Sequence, residues 1–126
     1  MEPLILYGGK DTPSVYFDKA AGIFEISGIS LPANVLDFYN QVLEWMNRYV
    51  KDPNENTVLT LRMEYLNTSS AKVMIILIRK LEILMQAGKK ANVCWYYAPS
   101  EPEMKEMGQD YSVGTKVPFD IKPIED

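Results

Sequence analysis

The chain has 126 residues, 47% of them hydrophobic and 24% charged, which suits one domain with a single core and argues against disorder. Its 13 basic and 17 acidic residues leave a net charge of -4 with no basic block, so nucleic acid is a poor partner. With no histidine and one cysteine, the commonest general base is missing and a Cys/His zinc site cannot be built.

The longest unbroken apolar run, Val73 to Ile78, is too short to cross a bilayer, so no membrane insertion is expected. Met1-Glu2-Pro3-Leu4 has no basic region ahead of a long apolar stretch, which predicts no signal peptide. A lone Cys94 cannot staple a secreted fold internally, and these features together predict a cytoplasmic protein.

Leu4 to Tyr7 is predicted as a first edge strand. Ser14 to Asp18 and Ile23 to Ser27 are β-prone runs joined by Lys19-Ala20-Ala21-Gly22, a length suited to a hairpin. Ser30-Leu31-Pro32 is expected to open a helix, with Ser30 as its N-cap and Pro32 in its first turn. Val35, Phe38, Tyr39, Val42, Met46 and Tyr49 then recur at helical spacing, and Asp52-Pro53-Asn54-Glu55-Asn56 ends that helix. Thr57 to Leu66 alternates, with Leu59, Leu61, Met63 and Tyr65 on one face and Val58, Thr60, Arg62 and Glu64 on the other.

Asn67 to Ala87 is the second predicted helix, closed by Gly88. Ala91 to Tyr97 is a strand rich in β-branched and aromatic residues. Ser100-Glu101-Pro102-Glu103 resembles a capping box that starts a short helix to about Met107, with Gly108 stopping it. Phe119 to Ile121 is a candidate last strand. The whole chain, residues 1–126, is expected to be a single α/β domain, a sandwich with a mixed sheet and helices packed on one face.

Stepping 100° per residue along the second helix puts Val73, Met74, Leu77, Ile78, Leu81, Leu84 and Met85 on one broad core-facing side. Thr68, Lys72, Arg79 and Gln86 fall opposite, and Ile75, Ile76 and Ile83 lie with them. Those isoleucines fit a partner-binding ridge; they also fit scattered surface apolars or cover by a loop. The run Asn67-Thr68-Ser69-Ser70 sits at the helix start, where unpaired N–H groups and the positive dipole end accommodate a phosphate. Lys72, one turn after Thr68, can reach the same phosphate. The same run equally suits plain capping, since Asn, Thr and Ser are favoured N-cap residues.

The segment Glu64-Tyr65-Leu66-Asn67-Thr68-Ser69-Ser70-Ala71-Lys72-Val73 resembles the signature of the SiaC family of regulatory phosphoproteins. Thr12-Pro13-Ser14-Val15-Tyr16-Phe17, Ser27-Gly28-Ile29-Ser30-Leu31-Pro32 before an aromatic-bearing helix, and Val93-Cys94-Trp95-Tyr96-Tyr97 before an acidic helix and Gly108 agree with it. The resemblance covers nearly the whole chain. It implies a fold like that of anti-sigma factor antagonists (STAS-like) and a partner-switching circuit. In such a circuit the hydroxyl of Thr68 is phosphorylated by a serine/threonine kinase of the histidine-kinase-like ATPase type. A PP2C-type phosphatase removes the phosphate, and the unphosphorylated form binds and activates a diguanylate cyclase, raising cyclic di-GMP and favouring aggregation or biofilm. The expected partner-binding residues are Asn67, Thr68, Ser69, Lys72, Ile75, Ile76, Arg79 and Ile83.

A second reading keeps the switch and replaces the cyclase with an anti-sigma-like kinase that controls transcription. An enzyme is the third reading, opposed by the missing histidines and the single cysteine, and no cofactor is implied. Cys94 between strand aromatics is expected to be structural, because a catalytic thiol needs a base beside it. Glu101, Glu103 and Glu106 suit a solvated helix face. Trp45, Trp95, Tyr96 and Tyr97 suit packing better than a pocket, and Gly8-Gly9-Lys10 is too short for a phosphate loop.

Overall fold

A computed structural model describes residues 1–125. The elements run β1 (Leu4–Leu6), β2 (Ser14–Asp18), β3 (Ile23–Ser30), α1 (Val35–Tyr49), β4 (Asn56–Leu66), α2 (Thr68–Gln86), β5 (Lys90–Tyr97), α3 (Pro102–Val113) and β6 (Phe119–Pro123). The six strands lie side by side in chain order. β1, β2 and β3 pair antiparallel, and β3 through β6 pair parallel. Each parallel step is bridged by one helix, the connection that parallel strands require.

The strand pattern sets where the core lies. Val15 and Phe17 of β2, Phe24 and Ile26 of β3, Leu59, Leu61 and Met63 of β4, and Val93 and Trp95 of β5 are all buried. Alternate positions on the opposite face, Tyr16, Glu25, Thr60 and Tyr96, stay partly open to solvent. This is the predicted mixed sheet with helices against one face. From α1, Tyr39, Val42, Trp45, Met46 and Tyr49 enter the core; from α2, Val73, Met74, Leu77, Ile78, Leu81 and Leu84 do so. Full burial of side chains of this size contributes roughly 1.5–3 kcal/mol each. Gly88 closes α2 at a φ of 86°, and Lys89 and Gly88 donate their N–H groups to the carbonyls of Leu84 and Met85 at 3.0 Å, a Schellman end.

Several local expectations fail. Ser30 is not an N-cap: it is the last residue of β3, paired with Leu66 across the parallel ladder and fully buried. Asn34 caps α1 instead, accepting from the Asp37 N–H at 3.3 Å, and Pro32 precedes the helix rather than entering it. β3 extends past Ser27 because Gly28 takes a φ of 108°, where the ladder with β4 shifts register. In that shift Gly28 pairs with Met63 and Ile29 with Tyr65, so Glu64 is an extra residue. The bulge reverses the alternation, turning Leu66 into the core and leaving Tyr65 50% exposed, opposite to the expected side.

Gly108 does not stop α3, which runs on to Val113. A Cβ at Gly108 would lie 2.5 Å from Cδ1 of Trp95, so the glycine lets the helix pass the indole. The expected capping box is also absent. Glu101 is the N-cap without a side-chain cap bond, and Pro102 occupies the first turn. No helix among the described residues is long and apolar enough to cross a membrane.

Candidate functional site

The four residues before and into α2 have separate roles. Asn67 is the N-cap in an extended conformation, and its side-chain oxygen accepts the Ser70 N–H at 2.9 Å. Its own N–H donates to the Ser30 carbonyl at 3.0 Å, and its carbonyl accepts the first helical bond, from Ala71, at 2.9 Å. The Ser69 hydroxyl donates to Asn67 Oδ1 at 3.2 Å. Ser70 is fully buried. Thr68, the first helical residue, is exposed. The helix start therefore leaves Thr68 exposed and occupies its two serine neighbours.

Electrostatics distinguish this helix start from the other two. α1 carries Asp37 in its first turn and α3 carries Glu103, each a carboxylate at the positive end of the helix dipole. The first turn of α2 has no acidic residue. Its dipole end has no carboxylate from its own first turn beside Thr68, and Lys72 is exposed one turn further on.

The structure brings the remaining sequence-predicted residues onto the outward face of α2. Ile75, Ile76 and Ile83 are each 41–42% exposed, so no loop covers them. Arg79 is exposed on the same face but donates to Glu82 at 3.1 Å. The Thr115 hydroxyl donates to the other Glu82 oxygen at 2.6 Å. That bond first, and Arg79 after it, hold the Glu82 carboxyl below the ordinary carboxylate range. The ridge thus combines three exposed isoleucines with the internally paired charge of Arg79 and the exposed charge of Lys72.

Two features were not legible in the sequence. The first is the flank formed by the end of α3, expected to finish at Gly108. A cleft of about 170 Å³ lies between α2 and α3, lined by Ile75, Ile78, Arg79, Tyr111, Gly114 and Thr115, with Val113 87% exposed nearby.

The second is a chain of buried hydroxyls beneath Thr68. Ser30 Oγ lies 2.7 Å from the Tyr39 hydroxyl and 2.7 Å from Ser70 Oγ, which also donates to the Ser30 carbonyl at 3.3 Å. Burial raises the Tyr39 pKa, opposed in part by its hydroxyl partners Ser30 and Ser70. From the other side, the Tyr111 hydroxyl of α3 donates to the Ala71 carbonyl at 2.7 Å, and burial pushes its pKa up to about 12. The only signal in the sequence was Ser30 itself, whose hydroxyl is equally at home in a cap.

The other candidates carry little chemistry. Cys94 is half-buried on the open sheet face; burial first, then Asp120, raises its thiol pKa and disfavours the reactive thiolate. Trp45 stacks on Tyr49 at 5.4 Å and Trp95 donates to the Met104 carbonyl at 2.8 Å, both in the core. Tyr96 lies under the Arg62 guanidinium, 4.7 Å from the ring centre. Among the described residues no cluster of three or more acidic or cysteine side chains could hold a metal ion.

Comparison with known proteins bears on the whole chain. The profile of the SiaC family regulatory phosphoproteins matches residues 6–124. A protein of Pseudomonas aeruginosa (strain UCBPP-PA14) is 31% identical over 122 residues, 97% of each chain. The crystal structure of apo-SiaC from Pseudomonas aeruginosa superposes with a TM-score of 0.89 at 31% identity, over 97% of this chain and 99% of that one. The crystal structure of diguanylate cyclase SiaD in complex with its activator SiaC, from the same species, matches with a TM-score of 0.89 at 30% identity, over 96% of this chain and 99% of the matched one.

Proposed function

This chain belongs to the SiaC family of regulatory phosphoproteins, a family of regulators rather than enzymes, and from that premise we propose that it is a cytoplasmic activator of a diguanylate cyclase, switched off by phosphorylation of Thr68. The observation that carries the reading is exposed Thr68 at an α2 start whose first turn has no carboxylate, at the head of an exposed isoleucine ridge. A phosphate there meets the unpaired N–H groups of the first turn and leaves the helix intact. It adds about -1.5 to -2 charge and three strongly hydrated oxygens. A partner surface fitted to Ile75, Ile76 and Ile83 would have to desolvate that charge, so docking is lost while the fold is kept.

The kinase is of the histidine-kinase-like ATPase type and the phosphatase of the PP2C type, as the family resemblance implies. Thr68 is the modified residue because its neighbours are occupied: Ser69 is bonded to Asn67, and Ser70 is buried. The complex of the Pseudomonas aeruginosa homologue with its cyclase supports the choice of partner.

Phosphosite mapping after incubation with the cognate kinase and ATP should find phosphate on Thr68 alone. Titration with the diguanylate cyclase of the same cell should give Thr68→Ala the affinity of unmodified protein and the phosphorylated protein an affinity lower by roughly 100-fold, about 2.7 kcal/mol. Equal cyclase binding by both forms would sink the reading. Recovery of a sigma-regulating protein instead of a cyclase would replace the output with transcription.

A further inference from the structure

Among the described residues, aromatic side chains apart, only three polar side chains are buried to 1% exposure or less, Ser30, Thr57 and Ser70, and two of them lie together beneath Thr68. A buried hydroxyl costs free energy unless bonded, and among the described residues no buried polar side-chain atom lacks a partner. The bonds converge on one place. Ser30, at the end of β3, contacts the α2 start three ways: its carbonyl accepts from the Asn67 N–H and from Ser70 Oγ, and its hydroxyl meets Ser70 Oγ. Tyr39 of α1 ties to the same Ser30 hydroxyl, and Tyr111 of α3 bonds the Ala71 carbonyl from the opposite flank. Both helices that flank α2 thus send a tyrosine to its first turn.

We propose that Tyr39, Ser30 and Ser70, with Tyr111 opposite, form a hydroxyl clamp that positions the first turn of α2 so that Thr68 and the isoleucine ridge are presented as one rigid surface. Ser30, Tyr39 and Ser70 are fully buried behind the surface a partner would meet, so they act as positioning residues. Hydroxyl bonds suit the task because they are directional where apolar packing is not. A first helical turn otherwise frays easily, since its N–H groups have no helical partners. The inference rests on the docking role proposed above for this face.

The molecule supplies its own control. Tyr49, at the other end of α1, lies 2.7 Å from the Thr57 hydroxyl and accepts the Asn54 N–H at 3.1 Å, the same chemistry in the same helix away from Thr68. Tyr39→Phe and Tyr49→Phe each remove one buried phenol hydroxyl. Two readouts on the full chain separate positioning from general loss of stability: amide hydrogen exchange at Ser70 and Ala71 relative to Leu77, and affinity for the diguanylate cyclase of the same cell.

Tyr39→Phe should speed exchange at Ser70 and Ala71 about 10-fold relative to Leu77 and weaken cyclase binding about fivefold. Tyr49→Phe should leave both within twofold. Tyr111→Phe should act like Tyr39→Phe on Ala71. Equal effects of Tyr39→Phe and Tyr49→Phe, or no relative change at Ser70 and Ala71 in Tyr39→Phe, would overturn the clamp. If the wild-type chain binds no cyclase, the docking role falls, and the exchange ratios alone decide whether the clamp exists.

Discussion

The two ends of α1 use the same chemistry for different purposes. At its C-terminal end Tyr49 shares a hydrogen bond with buried Thr57 and accepts the Asn54 N–H, while its ring stacks with Trp45 and packs on Phe24. That cluster closes a loop over the core. At its N-terminal end Tyr39 reaches Ser30 and, through it, the first turn of α2, where Thr68 is exposed. A buried hydroxyl bond is worth roughly 0.5–1.5 kcal/mol in either place. Only at the Thr68 end does the bond also fix a surface, so equal stability losses at the two ends should have unequal functional consequences.

Three measurements test that asymmetry further, the largest effect first. Ile76→Asp places a carboxylate on the ridge and should weaken cyclase binding at least 10-fold with little change in Tm. Lys51→Glu, an exposed charge reversal beyond the Tyr49 end, should leave affinity within twofold. Comparable losses from both would make the effect one of net charge rather than of place, and titration calorimetry reads the difference.

Asn67→Ala removes the cap bond to Ser70 and should cost about 1 kcal/mol in chemical denaturation. It should also slow phosphorylation of Thr68 by the cognate kinase. Asn54→Ala, which loses a bond to the Lys19 carbonyl at the other end, should cost a similar amount and leave the kinase rate unchanged.

The smallest effect concerns pH. Tyr111 has its pKa raised from 10.0 to about 12, and that of Tyr39 is also raised. The folded protein therefore holds protons that the unfolded chain has released between these values. The stability linked to the Tyr111 phenol is fully present below about pH 10 and is lost as the pH rises through about 12. Tm should fall across that window, and Tyr111→Phe should flatten the fall; an unchanged slope would show that Tyr111 is not the titrating group.

Much of this architecture follows from local sequence. The alternation in β4 from Thr57 to Met63, the stripe along α2 and the glycine at position 88 each reflect constraints between residues close in the chain, and they fix element type, order and core side. The outward face of α2 was equally legible, because a 3.6-residue period decides which of its residues cannot face the core. Thr68 stood out only through the family resemblance, since hydroxyls at a helix start are ordinary caps.

The remainder was decided between residues distant in sequence. Tyr65 turned outward because one extra residue in a two-strand ladder shifts the phase, and a bulge is a property of the pair, not of either strand. Gly108 proved to be helix interior because Trp95, on another element, needs its missing side chain. Ser30 became a core residue because Tyr39 and Ser70 supply partners for its hydroxyl from nine and forty residues away. The sequence by itself determined which elements form and that Thr68 lies at a helix start; the tertiary structure alone decided what holds that start in place. The physical reason is that periodicity records how one element meets the core, whereas a hydrogen bond between two elements leaves no periodic trace in either.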